Sequence, residues 1–345
     1  MSPALREAAP ERPDVWVGAT AMAEDVLLES TSAKFMQAYY TLLHLHRVAV
    51  TVVVVVPDGV TDLDEDCANT VATIINTNKP TLFAEFGRMY RLEGKVVLIT
   101  GASAGIGEAT AREFAAAGAH VILTARREEK LKALAQELSS KYPSVTVHTV
   151  GLDVQDREAV QRALASLPAN LQEVDVLVNN AGMVVGVDKL LDVDPKGIDQ
   201  MFNTNVYGLM YVIQAVVPGM KARNRGHVIN IGSVSGKQVY SGGGIYCATK
   251  HAVDAITRTL HLELVDTAVR VTEINPGLVN TEFSTVRFSG DKAKADNVYK
   301  GMNPLTGQDV AEIIVFAASR PDHVNIADLL VFPVNQADSR TVHRA

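Results

Sequence analysis

Tyr246 and Lys250 stand four residues apart in a stretch patterned as a helix, so their side chains share one face. A free phenol titrates near pH 10, too high for a good base at neutral pH. An ammonium one helical turn away favours the ionised form and brings the phenol closer to useful proton transfer. The spacing alone is weak. It gains weight from Ser233, thirteen residues earlier and just past a strand-like run, and from Asn205 in the helix-like stretch before that.

A second group of residues suits a phosphate ligand. The run Thr100-Gly101-Ala102-Ser103-Ala104-Gly105-Ile106-Gly107 joins a strand-like segment to a helix-like one. A pyrophosphate needs backbone N–H donors and the positive end of a helix dipole, with no side chain in the way. Gly101 permits the tight turn, Gly105 a close approach, and Gly107 close helix packing. The bland reading is a plain glycine-rich connection. The next strand ends Leu123-Thr124-Ala125-Arg126-Arg127, without the acid that usually accepts ribose hydroxyls in an NAD site. Arg126 and Arg127 suit a 2′-phosphate instead, so NADP is the expected cofactor, the alternative being two solvated charges at a helix start. Asp153 can accept from an adenine amino group and Asn180 can line the adenosine pocket, or each can simply cap a strand end.

The elements that must hold these residues follow from residue 91 onward. Strand-like runs are Val96–Thr100, Val121–Thr124, Val145–Val150, Val174–Val178, His227–Ile231, Val269–Ile274 and Leu329–Val334. Helix-like stretches are Gly107–Ala117, Glu128–Ser140, Asp156–Ser166, Pro195–Met220, Ile245–Val265 and Gln308–Ser319, with a long irregular piece at Gly277–Gly307. Nearly continuous apolar strands are covered on both faces. The expected fold is therefore α/β: a doubly wound, Rossmann-like parallel sheet of about seven strands with helices on both faces, in one catalytic domain over 91–345.

Residues 1–90 differ in character. They hold 6 Lys/Arg against 12 Asp/Glu, whereas 91–345 hold 26 against 27, so the acidity belongs to the front segment. This segment is expected to be an extension of uncertain structure, its valine run Val48–Val56 being either an added strand or part of a piece absent from the mature chain. Nine residues cannot span a membrane, which takes about 20. Acids scattered through the first thirty positions argue against a mitochondrial leader, which leaves a cytoplasmic enzyme as the expectation. No basic block suggests nucleic acid. Cys67 and Cys247 share no metal-ligand spacing, Cys247 reads as a packed thiol, and His227 and His251 read as structural; no metal is expected.

Taken together, Thr100–Gly107, Asn179–Gly182, Asn205-Val206-Tyr207-Gly208, Ser233, Tyr246-Cys247-Ala248-Thr249-Lys250 and Pro276-Gly277 resemble the short-chain dehydrogenase/reductase family over about 91–345. The resemblance implies that Tyr246 is the proton-transfer group and Ser233 orients the substrate oxygen. It also implies that Lys250 binds the nicotinamide ribose and that Asn205 anchors a relay water. It extends the cofactor contacts to Ser103, Ile106, Val154, Pro276, Gly277, Val279 and Thr281, the last meeting the nicotinamide amide. The stretches Asn275–Phe288, Asn297–Lys300 and Phe332–Gln336 resemble more narrowly the NADP-dependent 3-hydroxy acid dehydrogenases, or serine 3-dehydrogenases. These are usually tetramers and oxidise L-allo-threonine, serine and related acids at the β-hydroxyl. A carboxylate substrate wants a bidentate cation, and Arg287 is the candidate, the alternative being a salt bridge within the lid. Two other readings remain: a broad carbonyl or 3-oxoacyl reductase, and a dinucleotide-sensing protein without turnover.

Overall fold

The computed structural model describes residues 91–345; the valine run, Cys67 and the rest of the expected front extension lie outside the described residues. The chain enters β1 (Val96–Thr100), all five residues of which are buried. Alternate side chains serve opposite faces: Val97 and Ile99 join one apolar cluster, Val96 and Leu98 the other. This double burial explains why the strand reads as an unbroken apolar run.

After β1 come α1 (Gly105–Ala116), β2 (His120–Ala125), α2 (Glu128–Lys141), β3 (Val147–Gly151) and α3 (Arg157–Ala165). The chain then crosses back to β4 (Val176–Asn179), on the far side of β1. There follow α4 (Pro195–Phe202), a π-helical segment at Asn203–Gly208, α5 (Leu209–Ala222), β5 (Gly226–Ile231), α6 (Gly244–Glu263) and β6 (Val269–Pro276). Then come β7 (Val279–Asn280), α7 (Glu282–Arg287), α8 (Lys292–Asn297), β8 (Leu305–Thr306), α9 (Gly307–Ala318) and β9 (Asp328–Val331). The main sheet runs β3-β2-β1-β4-β5-β6-β9, parallel throughout. Strand order reverses between β1 and β4, so a crevice opens at their carboxyl ends, where such sheets bind ligands.

Helices cover both faces as expected. Phe114 of α1, Leu131, Leu134 and Leu138 of α2 and Ile314 of α9 fill one side; Val212 and Val216 of α5 and Val253 of α6 fill the other. Among the described residues, no helix is long and apolar enough to cross a membrane.

Three expectations need correction. The single helix expected at Pro195–Met220 is interrupted by the π-helical segment, where the Asn205 carboxamide is bound to the backbone of Met183 and a methyl on Gly208 would strike Val154 Cγ2 at 2.7 Å. The piece at Gly277–Gly307 is not irregular: it folds into two six-residue helices, capped by the side chains of Thr281 and Asp291, and a small sheet of β7 with β8. Helices that short leave no readable apolar period. The last strand ends at Val331, earlier than expected, just before Phe332-Pro333 turns toward Gln336.

Candidate active site

The carboxyl ends of β1, β2 and β4 build the first wall of a cleft of about 850 Å³. Gly101 has φ +68°, a left-handed conformation that side chains resist. A methyl on Gly107 would lie 2.5 Å from both the Gly101 carbonyl oxygen and Asn180 Nδ2, so the start of α1 packs on the turn itself. Asn180 explains the closeness. Its Nδ2 donates to the Thr100 carbonyl (2.9 Å), while its backbone N–H donates to Thr100 Oγ1 (3.0 Å). Asn180 thus both lines the cleft and locks β4 to the glycine turn. No side chain caps the start of α1, where Ala104 precedes Gly105, which leaves its first N–H groups to a ligand.

Both arginines after β2 line the cleft. Arg126 is largely exposed, with Asp153 as a loose partner at 3.9 Å. Arg127 is already engaged: its Nε and Nη2 donate to Ser103 Oγ (3.2 and 3.1 Å), and its Nη1 donates to Glu282 at the start of α7 (2.8 Å). Lys130 and Arg127 together hold Glu282 below the usual carboxylate range. Glu282 is 155 positions from Arg127, too far along the chain for local pattern to pair the two. Thr204, not among the expected site residues, also lines the cleft, and its buried Oγ1 has no hydrogen-bond partner among the described residues.

The other wall carries the reacting groups. Tyr246 and Lys250 lie on one face of α6, both buried and both lining the cleft. Lys250 Nζ donates to the Ile231 carbonyl at 2.7 Å and sits 6.0 Å from the Tyr246 ring centre. Ser233 opens the short turn Val234–Gly236, and its Oγ accepts from the Ser235 N–H (3.1 Å), which leaves the hydroxyl hydrogen to donate. Burial pushes the Tyr246 phenol well above its ordinary value, with Tyr240 adding to the rise, while Ser233 and Arg287 pull the other way. Burial lowers Lys250 to about 8, against the opposing charge of Glu273. The acidification expected of Tyr246 draws on Lys250 together with the charge of an oxidised nicotinamide; among the protein's own groups desolvation outweighs the charges that favour the phenolate.

Asn205 stands behind this wall. Its Nδ2 donates to the Met183 carbonyl (2.8 Å) and to Thr249 Oγ1 (3.0 Å), and its Oδ1 accepts from the Met183 N–H (2.8 Å). Both amide hydrogens are committed, so the side chain's direct work is to hold the loop after β4. Of all the expected site residues, Gly107 and Asn205 do not line the cleft; Gly101, Ser103, Gly105, Ile106, Arg126, Arg127, Asp153, Val154, Asn180, Ser233, Tyr246, Lys250, Pro276, Gly277, Val279, Thr281 and Arg287 all do.

α7 forms a lid. A methyl on Gly105 would lie 3.1 Å from Thr281 Cβ, and Phe283 tilts against the Tyr246 ring at 5.8 Å between centres. Arg287 makes no salt bridge within the lid. Its Nε donates to the Gly186 carbonyl (3.0 Å) and its Nη2 to the Gly242 carbonyl (3.3 Å), and Nη1 has no hydrogen-bond partner among the described residues. Arg340 from the tail joins it: the two guanidinium groups lie 5.7 and 5.0 Å from the ring centre of Tyr240, and neither has a carboxylate within ion-pair distance among the described residues. Sequence reading missed Arg340 and Tyr240, which only the fold brings together. Cys247 is buried and free, and the His227 ring is buried against Thr272 Oγ1, both as expected of packed residues.

Comparison with known proteins agrees with this geometry. The family described as short chain dehydrogenase matches residues 95–292. The chain is 48% identical over 257 residues to an NADP-dependent 3-hydroxy acid dehydrogenase of Schizosaccharomyces pombe, which covers 74% of this chain and 99% of that protein. It is 45% identical over 243 residues to sulfoacetaldehyde reductase 2 of Chromohalobacter salexigens, covering 70% and 95%. A solved structure of serine dehydrogenase in its closed form with NADP+ aligns with a TM-score of 0.68 at 44% identity, over 72% of this chain and all of that one.

Proposed function

The chain belongs to the short chain dehydrogenase family and is an NADP-dependent oxidoreductase acting on CH–OH groups; from that premise we propose that it oxidises small 3-hydroxy acids at the hydroxyl carbon, with Tyr246 as the acid/base. The cleft suits the cofactor on its own evidence of shape: glycines where a side chain would obstruct, an uncapped helix start, and two arginines where an NAD site would carry an acid. Arg126 and Arg127 would hold the 2′-phosphate, and Lys250 the ribose. When bound, NADP accepts the hydride and NADPH donates it.

In oxidation, Ser233 donates a hydrogen bond to the substrate oxygen while Tyr246 Oη takes its proton. In reduction Tyr246 returns that proton. Burial keeps the phenol protonated at neutral pH, so it carries the proton that reduction requires, and positive charge arriving beside it favours the phenolate that must accept the proton in oxidation. Lys250 keeps donors to spare beyond its bond to Ile231. A methyl on Gly182 would lie 3.5 Å from Asn205 Oδ1 and 3.8 Å from Lys250 Nζ, so both atoms flank one point, which supports Asn205 as the anchor of a relay water beside Lys250.

The observation that carries the substrate class is the pair Arg287 and Arg340 beside the Tyr240 ring, two cations that pair with no acidic side chain among the described residues. A carboxylate beside the reacting carbon supplies the missing charge. The test is NADP reduction with L-allo-threonine, serine and 3-hydroxyisobutyrate beside simple secondary alcohols. Acids turning over at least tenfold better in kcat/KM supports the reading. Equal efficiency favours the broad carbonyl reductase, and cofactor binding without turnover favours the sensing protein. The same proposal includes a catalytic unit spanning 91–345, a cytoplasmic setting and a homotetramer, the last checked by light scattering.

A further inference from the structure

Beneath Ser233 runs a polar chain that proton and hydride transfer do not use. The Ser233 N–H donates to Asn275 Oδ1 at 2.9 Å, and Asn275, near the end of β6, is fully buried. Asn275 Nδ2 donates to Asp328 Oδ1 on β9 at 3.0 Å. The other oxygen of Asp328 accepts from Lys237 Nζ, which also donates to Asp254 of α6 and to Glu273 Oε2 of β6 (3.1 Å). Lys237 closes the loop, since its backbone N–H returns to Val234 in the turn that Ser233 begins (3.0 Å). Both ends of the Ser233 turn are thereby tied to one cluster.

The backbone makes room for this arrangement. A methyl on Gly232 would lie 2.1 Å from Asn275 Oδ1 and 2.4 Å from Glu273 Oε1, so a larger residue before Ser233 would displace the amide beneath it. Three carboxylates around one ammonium are costly to desolvate, and the cluster holds together because Lys237 stands between them. Burial pushes the Glu273 carboxyl up to about 7 despite Lys237. The ammonium occupies the centre that a metal ion would need, so the three acids are not read as a metal site.

We infer that Asn275, held by Asp328 and the Lys237 cluster, is a positioning residue that fixes Ser233 for the reaction. The inference rests on the reading that Ser233 meets the substrate oxygen. Loss of the Asn275 amide frees the Ser233 backbone, and displacements of about 1 Å at a reacting group can cost on the order of a hundredfold in rate.

The experiment is a double-mutant cycle: Asn275→Ala and Asp328→Ala, each alone and combined with Ser233→Ala, with turnover, cofactor affinity by NADPH fluorescence, and thermal melting measured for all. The expected result is a fall in kcat of about 10- to 100-fold for N275A and about threefold for D328A, with NADPH affinity unchanged. In the S233A background both effects shrink below about twofold, because nothing remains to be positioned. Asp328 is partly exposed on the outer strand, so D328A carries the test if N275A does not fold, and Asp328→Asn, which keeps an acceptor for Asn275 but loses the one for Lys237, gives turnover between D328A and wild type. Equal losses in both backgrounds would overturn the inference while leaving the role of Ser233 intact. Full turnover by S233A itself would instead remove the reading of Ser233, and the inference with it.

Discussion

The two halves of the sheet do their work by different means. In the β1–β3 half, the site is made by backbone and by the absence of side chains: Gly101, Gly105, Gly107 and a bare helix start. In the β4–β6 half it is made by side chains whose partners come from far along the sequence, such as Asn205 with Met183, Ser233 with Asn275, and Arg287 with Gly186. The first kind of site is written in consecutive residues. The second is assembled by folding.

The contrast can be sharpened at Lys250, where the side-chain half is densest. Lys250→Met is expected to lower kcat by about 10² to 10³-fold in steady-state assays, the range for losing a group that supports proton transfer. The same variant has a pH signature. With the folded value near 8 and the unfolded value at its ordinary, higher level, Lys250 is charged in both states below pH 8. Between those two values the unfolded chain binds a proton that the folded chain has released, so stability from Lys250 rises with pH across that window. Wild type should therefore gain on K250M in denaturant melts between pH 8 and 10; a constant difference would contradict the burial argument.

In the backbone half, charge enters at one point. Replacing both Arg126 and Arg127 with Ala should weaken NADP about 10- to 100-fold by calorimetry while leaving NAD nearly unchanged, since the glycine turn is untouched. Equal losses for both cofactors would mean that the arginines support the loop through Ser103 rather than read the phosphate. A smaller effect, about tenfold in KM for 3-hydroxy acids, is expected for Arg287→Ala, and less for Arg340→Ala, with neutral alcohols affected least. Because Arg287 also pins the lid to two carbonyls, R340A is the cleaner probe of charge, and an equal KM change for acids and alcohols would remove the carboxylate reading.

The same division decides what the sequence could reveal. The seven strands, the glycine turn, the two arginines and the Tyr246–Lys250 pair were legible because each depends on local period or short spacing. The π-helical segment was not, since it exists to bring Asn205 to a backbone 22 residues away. Nor were Glu282 on Arg127, Gln336 on the Leu278 N–H (2.8 Å) or Asp328 on Asn275, partners 53 to 155 positions apart. The lid was read as irregular because two helices of six residues show their caps rather than a period. The smallest expected effect belongs to the front segment: a chain starting near Tyr90 should keep kcat/KM within about twofold. Loss of both activity and solubility on that truncation would show that residues 1–90 serve the enzyme.

The most direct measurement is Tyr246→Phe, assayed for NADP reduction with L-allo-threonine while NADPH binding is followed by fluorescence. The ring and its packing on Phe283 are kept and the hydroxyl alone is lost. Turnover should fall at least about 10²-fold with NADPH affinity little changed. Turnover near that of the wild type would contradict proton transfer through Tyr246.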